Sequence, residues 1–189
     1  MIVELDARYR FENYIVGSAN RLAVSAARAV AQAPGAAFNP LFIYSSSGLG
    51  KTHLLLAIGH LGRQLQPDLK VAYSTVDELV DELNASVASS AVEALRERYQ
   101  NVNVLLLDDV QFLAGRRETQ SEILRLFNGL QRGGRQIVLT SDRPPSEIPG
   151  LEARLVSRFQ WGMVADIDVP DVEHRIAILR QKAELDHLE

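Results

Sequence analysis

A polar, glycine-bearing turn set between an apolar run and an amphipathic helix constrains this chain more than any other feature. The turn is Ser45-Ser46-Ser47-Gly48-Leu49-Gly50-Lys51-Thr52. Before it stands Leu41-Phe42-Ile43-Tyr44, which reads as a buried strand, and after it residues 52–65 carry apolar side chains at helical spacing. A strand, a glycine turn and a helix start together aim backbone N–H groups and the positive helix end at one point. That point suits a polyphosphate, with Lys51 reaching the β/γ-phosphates and the Thr52 hydroxyl holding Mg²⁺. The candidate nucleotide-binding set here is Ser47, Gly48, Leu49, Gly50, Lys51, Thr52 and His53. The strict pattern G-x-x-x-x-G-K-[ST] fails at Ser45. If that residue must be left-handed, the expected cost is about 1–2 kcal/mol, which weakens nucleotide binding without abolishing it. A Gly/Ser turn that merely precedes a helix is the bland alternative, and the order strand, turn, Lys-Thr, helix disfavours it.

Similar apolar runs recur down the chain, separated by helical stretches. Val71-Ala72-Tyr73-Ser74, Val104-Leu105-Leu106-Leu107, Gln136-Ile137-Val138-Leu139-Thr140 and Met163-Val164-Ala165-Asp166-Ile167 read as four further strands. The third run of the five is the most apolar and is expected to be a central strand; the last is expected at an edge. Helices are predicted near residues 19–32, 76–87, 91–99 and 119–130, and again from 172 to 185. Pro34-Gly35 and Gly133-Gly134 act as stops. Ser90-Ala91-Val92-Glu93 and Thr119-Gln120-Ser121-Glu122 read as capping boxes, and Asp171 after Pro170 as a helix cap. Strands alternating with helices imply an α/β fold, a parallel five-stranded sheet covered on both faces. Ligands in such sheets lie beyond the carboxyl ends of the strands.

The length of 189 residues fits one domain with a substantial core. A formal charge of −4 argues against a broad basic face gripping duplex nucleic acid, so any DNA contact is local or made elsewhere. The absence of cysteine excludes disulfides, thiolate zinc sites and thiol catalysis. The opening Met1-Ile2-Val3-Glu4-Leu5-Asp6 lacks the form of a signal peptide, and no run reaches the length of a membrane span. A soluble, cytoplasmic protein is the expectation.

Leu105-Leu106-Leu107-Asp108-Asp109 supplies the second half of a nucleotide site. Asp108, at the strand end, is placed to hold Mg²⁺ through a water, and Asp109 to polarise an attacking water. Alone, the pair would read as a strand-end cap; the upstream phosphate loop changes the balance. Thr140-Ser141-Asp142-Arg143 brings polar groups to the same rim. Asp142 is the candidate γ-phosphate sensor, whereas for Ser141 ordinary turn chemistry before Pro144-Pro145 is an equal alternative. Arg154 and Arg158 lie four residues apart, on one helix face. They are either solvated charges or an arginine finger presented to a neighbour's γ-phosphate.

Six blocks carry a family resemblance: Phe11-Glu12-Asn13-Tyr14-Ile15-Val16-Gly17, Asn39-Pro40-Leu41-Phe42-Ile43-Tyr44, Gly48-Leu49-Gly50-Lys51-Thr52-His53-Leu54-Leu55, Leu107-Asp108-Asp109-Val110-Gln111-Phe112-Leu113-Ala114-Gly115, Thr140-Ser141-Asp142-Arg143-Pro144-Pro145 and Arg154-Leu155-Val156-Ser157-Arg158-Phe159. Together they resemble the AAA+ ATPase domain of the DnaA family of bacterial replication initiators, over residues 9–185. The resemblance implies an AAA+ P-loop core at residues 1–170, with 171–189 forming the first helix toward a lid that is largely missing. It implies ATP or ADP with Mg²⁺ as ligands, and an adenine pocket bordered by Ile15, Val16 and Gly17, with Asn20 and Pro40 nearby. Asp142 becomes the nucleotide sensor and Arg158 the intersubunit finger, supported by Arg154. The activity implied is a weak ATPase completed in trans, with ATP-driven head-to-tail self-assembly that remodels origin DNA. Regulatory proteins are a further partner class.

Three departures qualify this. Ser45 is one. Asn84 and Glu118 stand where the family has an apolar and a basic residue for gripping single-stranded DNA, so DNA binding by this chain alone is expected to be weak. Arg116 and Arg117 lie close by, as compensating charge or as solvated loop residues. Finally, the chain stops after the 172–185 helix, and Leu188-Glu189 reads as a cloning junction, so a truncated piece is expected. The alternative is a regulatory paralogue that binds nucleotide and docks on proteins without touching DNA. A helicase loader on the same fold ranks third.

Overall fold

The computed structural model describes residues 5–185; the opening Met1 to Glu4 and the closing Leu188-Glu189 lie outside the described residues. Five strands, β1 (Leu41–Tyr44), β2 (Val71–Thr75), β3 (Val104–Asp108), β4 (Gln136–Ser141) and β5 (Met163–Asp166), form one sheet in the order β2-β3-β4-β1-β5. Every pairing is parallel, as the intervening helices require. β3 is a central strand, as expected of its apolar run, paired with β2 and β4. β5 is an edge strand, as its composition predicts.

Among the described residues seven α-helices flank the sheet: α1 (Arg21–Gln32), α2 (Lys51–Leu65), α3 (Val76–Ala88), α4 (Val92–Gln100), α5 (Arg117–Arg132), α6 (Ala153–Gln160) and α7 (Val172–Leu185). The period-2 alternation of strands divides the core in two. Leu105 and Leu107 of β3 and Ile137 and Leu139 of β4 pack on one face with Leu79, Phe127 and Phe159. Val104, Leu106 and Val138 pack on the other, against Ala27, Val30, Leu54 and Ile58 of α1 and α2. Both faces are covered, so the strands read as continuous apolar runs.

Two expected capping boxes do not form. Ser90 has φ of 55°, which lets the Ala91 N–H close α3 onto the Ser86 carbonyl at 2.7 Å. A capping residue needs extended backbone, so Ser90 cannot serve α4. Helix α5 begins two residues before Thr119; Gln120 is buried and the Glu122 carboxylate takes Arg96 and Arg125 instead. A reciprocal box does form at Thr75 and Glu78. There the Glu78 N–H meets Thr75 Oγ1 at 3.2 Å and the Thr75 N–H meets Glu78 Oε2 at 2.9 Å. Asp171 caps α7 as expected, accepting the His174 N–H at 2.8 Å.

Candidate nucleotide site

Strands β3, β4 and β1 are neighbours, so the three polar segments that follow them share one rim of the sheet. The loop after β1 turns through Gly48 (φ 80°) and Gly50 (φ 90°) into α2. Ser45 does not take part in that left-handed turn: its backbone continues the ladder, with its N–H on the Ser141 carbonyl at 3.1 Å. The strain expected of a serine at this position therefore does not arise. The first intrahelical bond of α2 runs from Leu54 N–H to the Gly50 carbonyl, 3.0 Å, leaving the amides of Lys51, Thr52 and His53 free of intrahelical partners. Lys51 is buried, with Nζ donating to the carbonyls of Ser45 (2.9 Å) and Ser46 (3.1 Å). Ammonium and amides converge on the loop mouth.

The Asp108 carboxylate accepts three side-chain hydrogen bonds at the rim. Thr52 Oγ1 donates to its Oδ2 at 2.7 Å, Tyr73 Oη to the same oxygen at 3.3 Å, and the Thr140 hydroxyl to Oδ1. Burial pushes its carboxyl above the usual range. The Thr140 and Thr52 hydroxyls pull it back, and the charge of Asp109 adds to the rise. A carboxylate and three hydroxyls form an all-oxygen set, the chemistry that suits Mg²⁺.

Asp109 is left-handed, at φ 59° and ψ 50°, with its N–H on Thr140 Oγ1 at 3.0 Å. Its Oδ1 accepts from Gln111 Nε2 at 3.1 Å, and Gln111 Oε1 accepts from the Asp142 N–H at 3.3 Å. One amide thus ties Asp109 to the end of β4. The Asp142 carboxylate is held in a fork by Arg143, at 2.7 and 2.9 Å. Those bonds, with the charges of Arg143 and Lys51, hold its pKa below the usual carboxylate value.

A cleft of about 490 Å³ opens beside the loop, lined by Ser47 to His53, Asp109, Ile15, Asn20 and residues of α7. Of the three residues expected to border an adenine, Ile15 lines this cleft, Val16 is exposed, and Gly17 lies against the His174 ring. Pro40 sits at the amino end of β1, accepting the Met163 N–H at 3.0 Å, a strand length away from the loop. Asn20 braces the strap around Ile15: its Nδ2 donates to the Ile15 carbonyl at 3.0 Å and its Oδ1 accepts the Gly17 N–H at 2.9 Å. His174 Nε2 meets the same Ile15 carbonyl at 3.0 Å. A carbonyl only accepts, so Nε2 carries the proton.

This clasp makes Gly17 sensitive. A Cβ there would fall 2.4 Å from His174 Nδ1. Gly17→Ala is expected to pry α7 from the strap, costing about 1–3 kcal/mol. Thermal unfolding should show a lower Tm and ATP titration a weaker affinity; an unchanged Tm would contradict the clasp.

Arg158 lies outside the cleft of its own chain, with Nη1 on Gln131 Oε1 at 3.3 Å, and Arg154 is exposed on the same helix. Three residues escaped sequence reasoning: Gln111, His174 and Gln120. Fully buried Gln120 bonds the Leu113 and Gly150 carbonyls at 2.8 and 3.0 Å and accepts the Glu152 N–H at 2.8 Å. It joins the turn after Asp109 to the start of α6. A polar residue on the apolar side of the α5 pattern was the available signal.

The family profile described as "Bacterial DnaA ATPase domain" matches residues 5–166. The chromosomal replication initiator protein DnaA of Corynebacterium jeikeium is 49% identical over 185 residues, 98% of this chain and 32% of that protein. The chain thus spans about one third of that relative's length. Domain III of the Thermotoga maritima replication initiation protein DnaA superposes with a TM-score of 0.96 at 45% identity, covering 99% of this chain and 78% of that one. A replication initiator DnaA bound to AMPPCP and single-stranded DNA superposes with a TM-score of 0.91 at 39% identity, covering 98% and 57%.

Proposed function

The chain belongs to the bacterial DnaA ATPase-domain family, and from that membership we propose that it is the ATP-binding core of a replication initiator that assembles head-to-tail to remodel origin DNA. The observation that carries the reading is the convergence of Lys51, the first-turn amides of α2 and the Thr52–Asp108 pair at the mouth of one cleft. In this reading the loop from Ser47 to His53 cradles the phosphates, and Ile15 with its Asn20-braced strap takes the base. Thr52 and Asp108 would hold Mg²⁺, which would supply neutralisation of phosphate charge. Asp109 polarises the attacking water, Asp142 reports the γ-phosphate, and Arg158 of a neighbouring copy stabilises the transition-state charge. Residues 1–170 act as the core and 171–189 begin the route to a lid. Among the described residues no helix is long and apolar enough to cross a membrane, and the reading places the protein in the cytoplasm.

The face built by α3, α4 and the start of α5 supports a second reading, a nucleotide-binding regulator that docks on proteins without touching DNA. Glu118 is exposed there and Arg116 is paired with Asp77 at 2.9 Å. A single-strand grip needs positive charge and apolar surface. Weak single-strand binding is therefore expected of this chain, even with ATP. Asn84→Val with Glu118→Arg should strengthen it and steepen the log–log salt dependence by about 0.7, one phosphate contact's share. Fluorescence anisotropy with a labelled oligonucleotide decides. Tight ATP-dependent binding by the unmodified chain would remove the regulator reading.

A further inference from the structure

We infer that Trp161 is the apolar anchor by which one copy of this chain docks on a second copy, alongside the arginine stripe of α6. This rests on the head-to-tail reading above. Trp161 is the one tryptophan of the chain, and it is 73% exposed. An indole left in water forgoes a large burial gain, and tryptophan is the residue most enriched at interface hot spots. Its backbone, at φ −61° and ψ −38°, prolongs the geometry of α6 by one residue. Arg154, Arg158 and Trp161 therefore fall at i, i+4 and i+7, on one face. Leu155 and Phe159, fully buried about a third of a turn round the helix, turn that face toward the surface.

The backbone that carries the indole is also held in place. The Trp161 N–H bonds the Arg158 carbonyl at 3.3 Å, and two residues on the Met163 N–H bonds Pro40 at 3.0 Å as β5 begins. A rigid corner loses little entropy on docking. Beside it lies a shallow concavity of about 620 Å³, with Leu151, Val156, Ser157 and Gln160 in its lining.

The occupant is a second copy because charge complementarity points there. The two arginines seek negative charge, and the cleft of another copy presents Asp109 and Asp168; in the reading above a bound polyphosphate would add to that charge. Next to Asp168, Val169 is 70% exposed and offers apolar surface for the indole. Such a contact joins two different faces, so it propagates.

Intrinsic fluorescence reads this out on the unmodified chain, because all tryptophan emission comes from Trp161. ATP-dependent assembly, followed independently by light scattering, should be accompanied by a blue shift of the emission and reduced acrylamide quenching. Trp161→Ala should retain ATP affinity and raise the concentration needed for assembly by about tenfold or more, with Trp161→Phe recovering most of the loss. Assembly with unchanged emission would overturn the anchor and leave the head-to-tail reading standing. No assembly with ATP would overturn both. Should Trp161→Ala fail to fold, the wild-type emission decides alone.

Discussion

Lys51→Ala should weaken ATP binding by roughly ten- to a hundredfold, the worth of one charge-assisted contact of about 1.5–3 kcal/mol. The Lys51 ammonium lies on the carbonyls of Ser45 and Ser46 at 2.9 and 3.1 Å, inside the turn formed by Gly48 and Gly50. Alanine keeps helical propensity at this first position of α2, so the fold should persist. The ladder bond of Ser45 to Ser141 does not involve the side chain lost. Displacement of a fluorescent ATP analogue measures the change. Equal affinities for wild type and variant would show that the loop does not hold the phosphates.

Arg158→Ala should leave the ATP affinity of the monomer nearly unchanged while abolishing most ATP-dependent assembly. The guanidinium reaches Gln131, and neither residue lines the cleft of its own chain. If it completes the neighbour's site, turnover in the assembled state should fall by roughly a thousandfold or more, the scale of arginine fingers. Mixing offers a second check. A finger variant retains an intact nucleotide site and a Lys51→Ala variant an intact finger, so the mixture should recover part of the assembly. A large loss of ATP affinity in isolated Arg158→Ala would contradict the trans assignment.

The strands and the rim they create were legible because the signal is local. Apolar runs bounded by Gly, Ser and Asp placed Leu41–Tyr44 without error and the other strands to within a residue. Asp108 and Thr52 were legible as occupants of one rim because both lie at or beyond the carboxyl ends of strands in one parallel sheet; the 2.7 Å hydrogen bond between them was not foreseen. What failed depended on where the chain goes next. Ser90 reverses the chain between α3 and α4, and that demand for a left-handed residue outweighed its capping chemistry. Gln120 resembled a surface residue of a capping box, yet its amide is consumed by two carbonyls brought in from distant turns. The His174 clasp joins residues 159 positions apart, beyond the reach of any local pattern.

Calorimetric titration of ATP into the chain, with and without Mg²⁺, tests the central claim most directly. Saturable binding at one site per chain is predicted, tighter with Mg²⁺ because Thr52 and Asp108 converge on one oxygen-lined point. The absence of saturable binding under both conditions would contradict the account.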